Sequence, residues 1–206
     1  LMSTLKRRVA DLAACTIAGS LNALGAAPAL GKLMILVAER LRIDEMAVAT
    51  RYGDLRFSAA NVVTRHRVET FFTKEPETLA WIDGLDGGVL YDLGANVGTY
   101  ALYAALSGKV SAVVAFEPES QNFALLNRNI ALNRLDGKVT AYPIAASDRS
   151  RLDLLHLSAL YSGGANHSLG AGVDFNGVAR ETPFRQGAVS YSLDALIAAH
   201  GPPFPN

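Results

Sequence analysis

Cysteine is almost missing: Cys15 is the single one in 206 residues. One thiol excludes an internal disulfide and a thiolate metal cluster, and it suits a reducing compartment, so the protein is expected to be cytoplasmic. Excess charge is missing too. Nineteen Lys and Arg balance nineteen Asp and Glu, so no global field draws the chain to nucleic acid. The densest basic stretch, Lys6-Arg7-Arg8, is short. Long unbroken apolar runs are also lacking. "VADLAACTIAGSLNALGAAPALG" is interrupted by Asp11, Asn22 and several Ser, Thr and Gly residues, whereas a spanning helix needs roughly 20 predominantly apolar residues. No signal or membrane anchor is read there. No His/Cys/Asp cluster has metal-ligand spacing, and no metal is expected.

What is present suits one globular α/β domain with a small appendage, since half the residues are hydrophobic. The Ala-rich N-terminus reads as a helical extension over 1–50, broken near 25–28. It resumes as "LGKLMILVAERLRI", where Leu33, Ile35, Leu36, Leu41 and Ile43 give a partly amphipathic face. The main domain is assigned to 51–206. It opens with a turn signal at Gly53-Asp54, short β-prone pieces and a helical turn over 60–65. "EPETLAWIDGL" starts a helix with Pro76 early and acids in its first turn.

The chain then alternates. Strands are expected over 89–92, 110–116 and 139–145, with helices over 97–107 and 120–133 between them. The strands are continuous apolar runs, as when helices cover both faces of a parallel sheet. Right-handed crossovers put their C-terminal ends on one edge, where open α/β sheets bind ligands. The Gly-rich stretch over 158–187 is either a functional loop above that edge or a mobile insertion. A strand "AVSYSL" and a helix "LDALIAAH" follow.

The chemistry concentrates in "VLYDLGANVGTYALYAA" and "VVAFEPES". Gly94 and Gly98 permit a tight turn into a helix, but their G-x-x-x-G spacing is not the G-x-G-x-x-G of pyrophosphate binding. Asp92, at the strand end, would repel a pyrophosphate and suits a cation. Glu117 lies 25 positions after Asp92 and 19 after Gly98, placed to accept both hydroxyls of a ribose. A ribose acceptor, no phosphate preference and an acid facing a cation point to S-adenosylmethionine.

These pieces, with "FFTKEPETLAWI" before them and "NFALLNRNIALN", "VTAYPIAASD" and "SLDALI" after, resemble FkbM-type S-adenosylmethionine-dependent methyltransferases. The resemblance runs from about Thr73 to the C-terminus. It implies a Rossmann-like class I methyltransferase fold, an open parallel sheet with helices on both faces. It further implies that Asp92, Gly94, Asn96, Gly98 and Thr99 surround the methionine part of the cofactor, with Glu75 and Thr78 approaching that end. Glu117 and Pro118 then take the ribose, Asn122 stands on the next helix, and Ala145 and Ala146 border the adenine. Transfer by in-line displacement to a small-molecule or glycan hydroxyl is implied, with no nucleic acid or membrane partner. The catalytic base and the oligomeric state are not readable.

Plainer readings stand beside these. Asp92 could cap the amides over 95–97, Asn122 could organise local hydrogen bonds, and Glu75 and Thr78 could belong to a capped helix. His167 reads as a loop histidine without a special task rather than a base. Tyr100 and Tyr103 read as packing. Two competing functions remain: a nicotinamide-dependent oxidoreductase and a non-catalytic Rossmann-like binding module. The family's next strand is expected to begin just where "GPPFPN" stops, so the chain reads as a fragment without its C-terminal strands, one expected to transfer nothing alone.

Overall fold

The computed structural model describes residues 45–174 and 176–205; the expected N-terminal helical region, with Cys15, lies outside them. Strands β1 (Glu45–Thr50) and β2 (Gly53–Ser58) form an antiparallel hairpin. Helix α1 (Val62–Glu69) starts at a reciprocal cap, in which the Asn61 side chain accepts from Thr64 N and the Thr64 hydroxyl accepts from Asn61 N. Helix α2 (Pro76–Asp83) carries Pro76 at its first position, where no N–H is needed.

Three βαβ-linked strands follow: β3 (Val89–Leu93), α3 (Thr99–Ser107), β4 (Ala112–Phe116), α4 (Ser120–Leu132) and β5 (Val139–Tyr142). The strands are parallel in the order β3-β4-β5, with Asp92 opposite Ala115 and Phe116 opposite Tyr142. Side chains alternate across the sheet, so β4 presents Val113 and Ala115 to one face and Val114 and Phe116 to the other. The first face packs on Leu102 of α3 and Leu126 of α4, both wholly buried. Full burial of such a side chain contributes about 1.5–3 kcal/mol.

The expected strand over 139–145 is divided. Pro143 has no N–H for a ladder, so β5 stops at Tyr142 and β6 (Ile144–Ala146) joins a second sheet. That sheet adds β7 (Arg151–Leu157), β8 (Ser168–Leu169) and β9 (Phe184–Tyr191) in the order β6-β9-β7-β8, with β6 and β9 parallel. Helix α5 (Leu193–His200) then lays Leu196 against Val114 and Phe116, on the face opposite α3 and α4. The main domain is therefore a Rossmann-like α/β unit with helices on both faces of its parallel sheet. Among the described residues no helix is long and apolar enough to cross a membrane.

Asn129, wholly buried, ties the hairpin to the turn after β3: its Oδ1 accepts from Ser58 N and its Nδ2 donates to Val97 O, both at 2.8 Å. Tyr103 is core, as expected, and its hydroxyl donates to Asp83 Oδ1 at 2.8 Å.

Candidate active site

The turn after β3 places three residues of five in the left-handed region: Gly94 (φ 79°), Asn96 (φ 52°) and Gly98 (φ 89°). Its amides are consumed internally. Gly94 N and Ala95 N donate to Phe116 O, Asn96 N to Glu117 Oε2, Val97 N to Asn96 Oδ1 and Gly98 N to Ala95 O. A turn whose donors are all committed offers no cradle to a pyrophosphate.

Glu117 extends from the tip of β4 and is 4 % exposed. Its Oε2 accepts from Asn96 N at 2.7 Å and its Oε1 from Glu119 N at 2.9 Å. Burial raises its pKa, and these bonds only partly oppose that. The Asn122 side chain adds a further hydrogen bond, so the carboxylate keeps room for a hydroxyl but not an empty second site on each oxygen. Glu119 has a different task, accepting from Gln121 N and Asn122 N to cap α4.

Asp92 lies beside the same turn. Burial pushes its carboxyl up to about 6, while the Ala101 N–H opposes the shift. Its Oδ2 is buried with no hydrogen-bond partner. The capping reading holds in altered form: the amides over 95–97 are bound elsewhere, and Asp92 accepts instead from the Ala101 N–H in the first turn of α3. A desolvated carboxylate with an orphaned oxygen weakens a fold, and such groups mark functional sites. Asp92→Asn is thus expected to fold and to match the parent in stability below pH 4. Native Asp92 holds its proton up to about pH 6, against 3.8 as an ordinary group. The parent therefore loses stability relative to Asp92→Asn as pH rises between those values. Urea unfolding across that window checks it; a variant weaker than the parent at pH 8 would assign Asp92 to the scaffold.

Glu75, Tyr100 and Arg67 stand on the near side. Glu75 is the residue before α2, pairs with Lys74 at 3.3 Å and accepts the Tyr100 hydroxyl. Burial first, then that hydrogen bond, hold the Tyr100 phenol well above its usual range. Tyr100 is therefore a polar member of the site and not packing alone. Thr78 enters through its main chain, donating to Glu75 O at 3.2 Å, and Thr99 opens α3.

The first part of the Gly-rich stretch, before β8, is a loop over this edge, while its later residues enter β8 and β9. Asn61 Nδ2 donates to Ser162 O, Arg67 Nε and Nη2 donate to Gly163 O, and Asn96 Nδ2 and Asn122 Nδ2 converge on Gly164 O at 2.6 and 3.0 Å. Gly163 N donates back to Asn122 Oδ1 at 2.7 Å. Gly163 has φ +86°, and a Cβ there would meet Thr64 Cγ2 at 3.0 Å. Asn122, wholly buried, thus anchors the loop.

His167 follows in that loop. Its Nδ1 accepts from Ser158 N at 3.2 Å, which assigns the proton of the neutral ring to Nε2, a buried atom without a partner. Burial lowers its pKa. As oriented, Nε2 is a donor and not a base.

Pro118 is pinned on the far side, its carbonyl accepting from Gln186 Nε2 at 2.7 Å. It lines a cavity of about 560 Å³ with Phe123, Pro143, Ala188 and Val189. Ala145 and Ala146 lie in β6, opposite Ser190 and Tyr191 of β9. The structure thus brings Glu75, Asp92, Asn96, Gly98, Glu117 and Asn122 around one edge and places Ala145 and Ala146 in the second sheet.

Residues 92–204, more than half of the chain, match the methyltransferase FkbM domain. The chain belongs to the FkbM methyltransferase family. Solved structures resemble it in part. P. horikoshii TYW2 in complex with MeSAdo is 20 % identical at a TM-score of 0.37, over 50 % of this chain and 36 % of that one. M. jannaschii tRNA m1G37 methyltransferase is 14 % identical at a TM-score of 0.34, over 52 % and 36 %. The FkbM chain spans about a third of the length of these proteins. No curated protein sequence matches it.

Arg67, Asn61, Glu119, Gly163 and Gly164 join the site through the fold rather than through a sequence motif. Asn61 was accessible through its N-x-x-T capping pattern. Arg67 carried no local signal, since its acceptor is 96 residues away.

Proposed function

We propose that this FkbM domain binds S-adenosylmethionine along the C-terminal edge of β3 and β4 and transfers its methyl group to a small-molecule or glycan hydroxyl. The observation that carries the reading is the pairing of committed turn amides with two buried acids, Asp92 and Glu117. Such an edge rejects a pyrophosphate and accepts a cation and a diol, which argues against the nicotinamide alternative. The orphaned Asp92 Oδ2 is a fit for the cationic methionine end, and the Glu117 carboxylate fits a ribose hydroxyl. Beyond Glu117, the cavity walled by Pro118, Phe123 and Pro143 offers an apolar slot to the adenine.

S-adenosylmethionine supplies an electrophilic methyl group on sulfur, open to in-line attack by an acceptor oxygen. The chain's own part is alignment: Glu117 fixes the ribose and Asp92 the charged tail, and the 162–164 loop excludes water from the edge. His167 Nε2, as a donor, orients an acceptor oxygen and does not deprotonate it. The balanced charge of the chain, nineteen of each sign, favours a neutral acceptor over a polyanion.

Calorimetric titration tests the reading. Saturable binding of S-adenosylmethionine with no heat from a nicotinamide dinucleotide is expected; the reverse pattern, or silence for both, would overturn it. Methyl-label transfer offered to free sugars, hydroxylated small molecules and tRNA then decides the acceptor class, with tRNA labelling as the contrary result.

A further inference from the structure

The cofactor's amino-acid tail is a zwitterion, and the acids at the β3–β4 edge complement only its ammonium group. Its carboxylate needs a cation on the same side. Arg67 stands there. It projects from α1 toward Glu75, Tyr100 and Glu117, half-buried, and remains charged because a guanidinium does not lose its proton in proteins. Burial without a paired carboxylate is unfavourable for a guanidinium. Its Nε and Nη2 converge on a single carbonyl, Gly163 O, at 2.9 and 2.7 Å. With that edge on the loop, Nη1 and the second Nη2 proton form the end of the fork left to meet the two oxygens of one carboxylate.

We infer that Arg67 binds the carboxylate of the cofactor's methionine tail, opposite Asp92, which faces the ammonium group. The assignment rests on the S-adenosylmethionine reading above. It makes Arg67 a positioning residue: with both ends of the tail fixed, the sulfonium has one orientation at the edge. It also joins the tail to the loop, because the same guanidinium holds Gly163 O.

The test compares S-adenosylmethionine with its decarboxylated form, which keeps the sulfonium and the ammonium and lacks only the carboxylate. Calorimetry on the full chain is expected to show the parent preferring the carboxylated ligand by about 10- to 100-fold, the usual worth of charge-assisted hydrogen bonds. Arg67→Gln is expected to lose that preference while binding the decarboxylated ligand as the parent does. Arg67→Lys, which keeps the charge without the fork, is expected to retain part of it, and it replaces Arg67→Gln should that variant unfold. An unchanged preference in either variant, or an equal loss for both ligands, would overturn the role of Arg67. Failure of the parent to bind either ligand would overturn the S-adenosylmethionine reading itself.

Discussion

Gly98→Ala is expected to lose about 3 kcal/mol of folding stability, a sum of two independent effects. The first is conformational: Gly98 sits at φ +89°, where a side chain costs about 1–2 kcal/mol. The second is steric. An added Cβ would lie 2.6 Å from Leu126 Cδ1, and Leu126 is wholly buried against α3 and β4. Overpacking of that kind costs about 1–3 kcal/mol. Set against a total of roughly 5–15 kcal/mol for a domain, the loss is large. Urea denaturation should show a lower midpoint at an unchanged slope. A change below about 0.5 kcal/mol would show that α4 gives way easily and that the turn does not depend on glycine at this position.

Glu117→Ala is expected to act on binding and stability together. Its two oxygens satisfy the Asn96 and Glu119 amides, so removal strands two buried donors at about 1–3 kcal/mol each where water does not replace the carboxylate. Loss of the ribose contact is expected to weaken S-adenosylmethionine binding by about 10- to 100-fold. Thermal unfolding with and without ligand, alongside calorimetry, separates the two. A variant with lowered stability but parental affinity would reduce Glu117 to a brace for the glycine turn.

The βαβαβ core was legible because its signals are local. Unbroken apolar runs gave β3, β4 and the first part of β5, and the Gly94/Gly98 spacing gave the turn. The misplaced boundaries have physical causes. The third strand was read through Pro143 although that residue cannot donate to a ladder, and β6 leaves the sheet there. Strand β7 was passed over although Arg151, Asp153 and His156 interleave with leucines, a half-buried pattern spoilt by the adjacent Leu154-Leu155 pair. In the site, Asp92 and Glu117 were legible from their places at strand ends. Tyr100 was read as packing because a tyrosine on an apolar helix has that reading by default, and only Glu75 reveals the polar use of its hydroxyl. Arg67 and the loop glycines required the fold, because nothing in their neighbourhoods encodes partners that distant.

The clasp on Gly163 and Gly164 also orders events during synthesis. Its donors, Asn61, Arg67, Asn96 and Asn122, leave the ribosome well before the carbonyls they bind. A nascent chain ending near Asn122 can form the β1–β2 hairpin and pair β3 with β4, yet its edge stays open to water. Closing contacts this remote in sequence must first overcome loop-closure entropy, which makes them late. The cofactor therefore meets a finished edge only after residues 162–164 have emerged, and ligand supply should protect chains that include them far more than shorter ones.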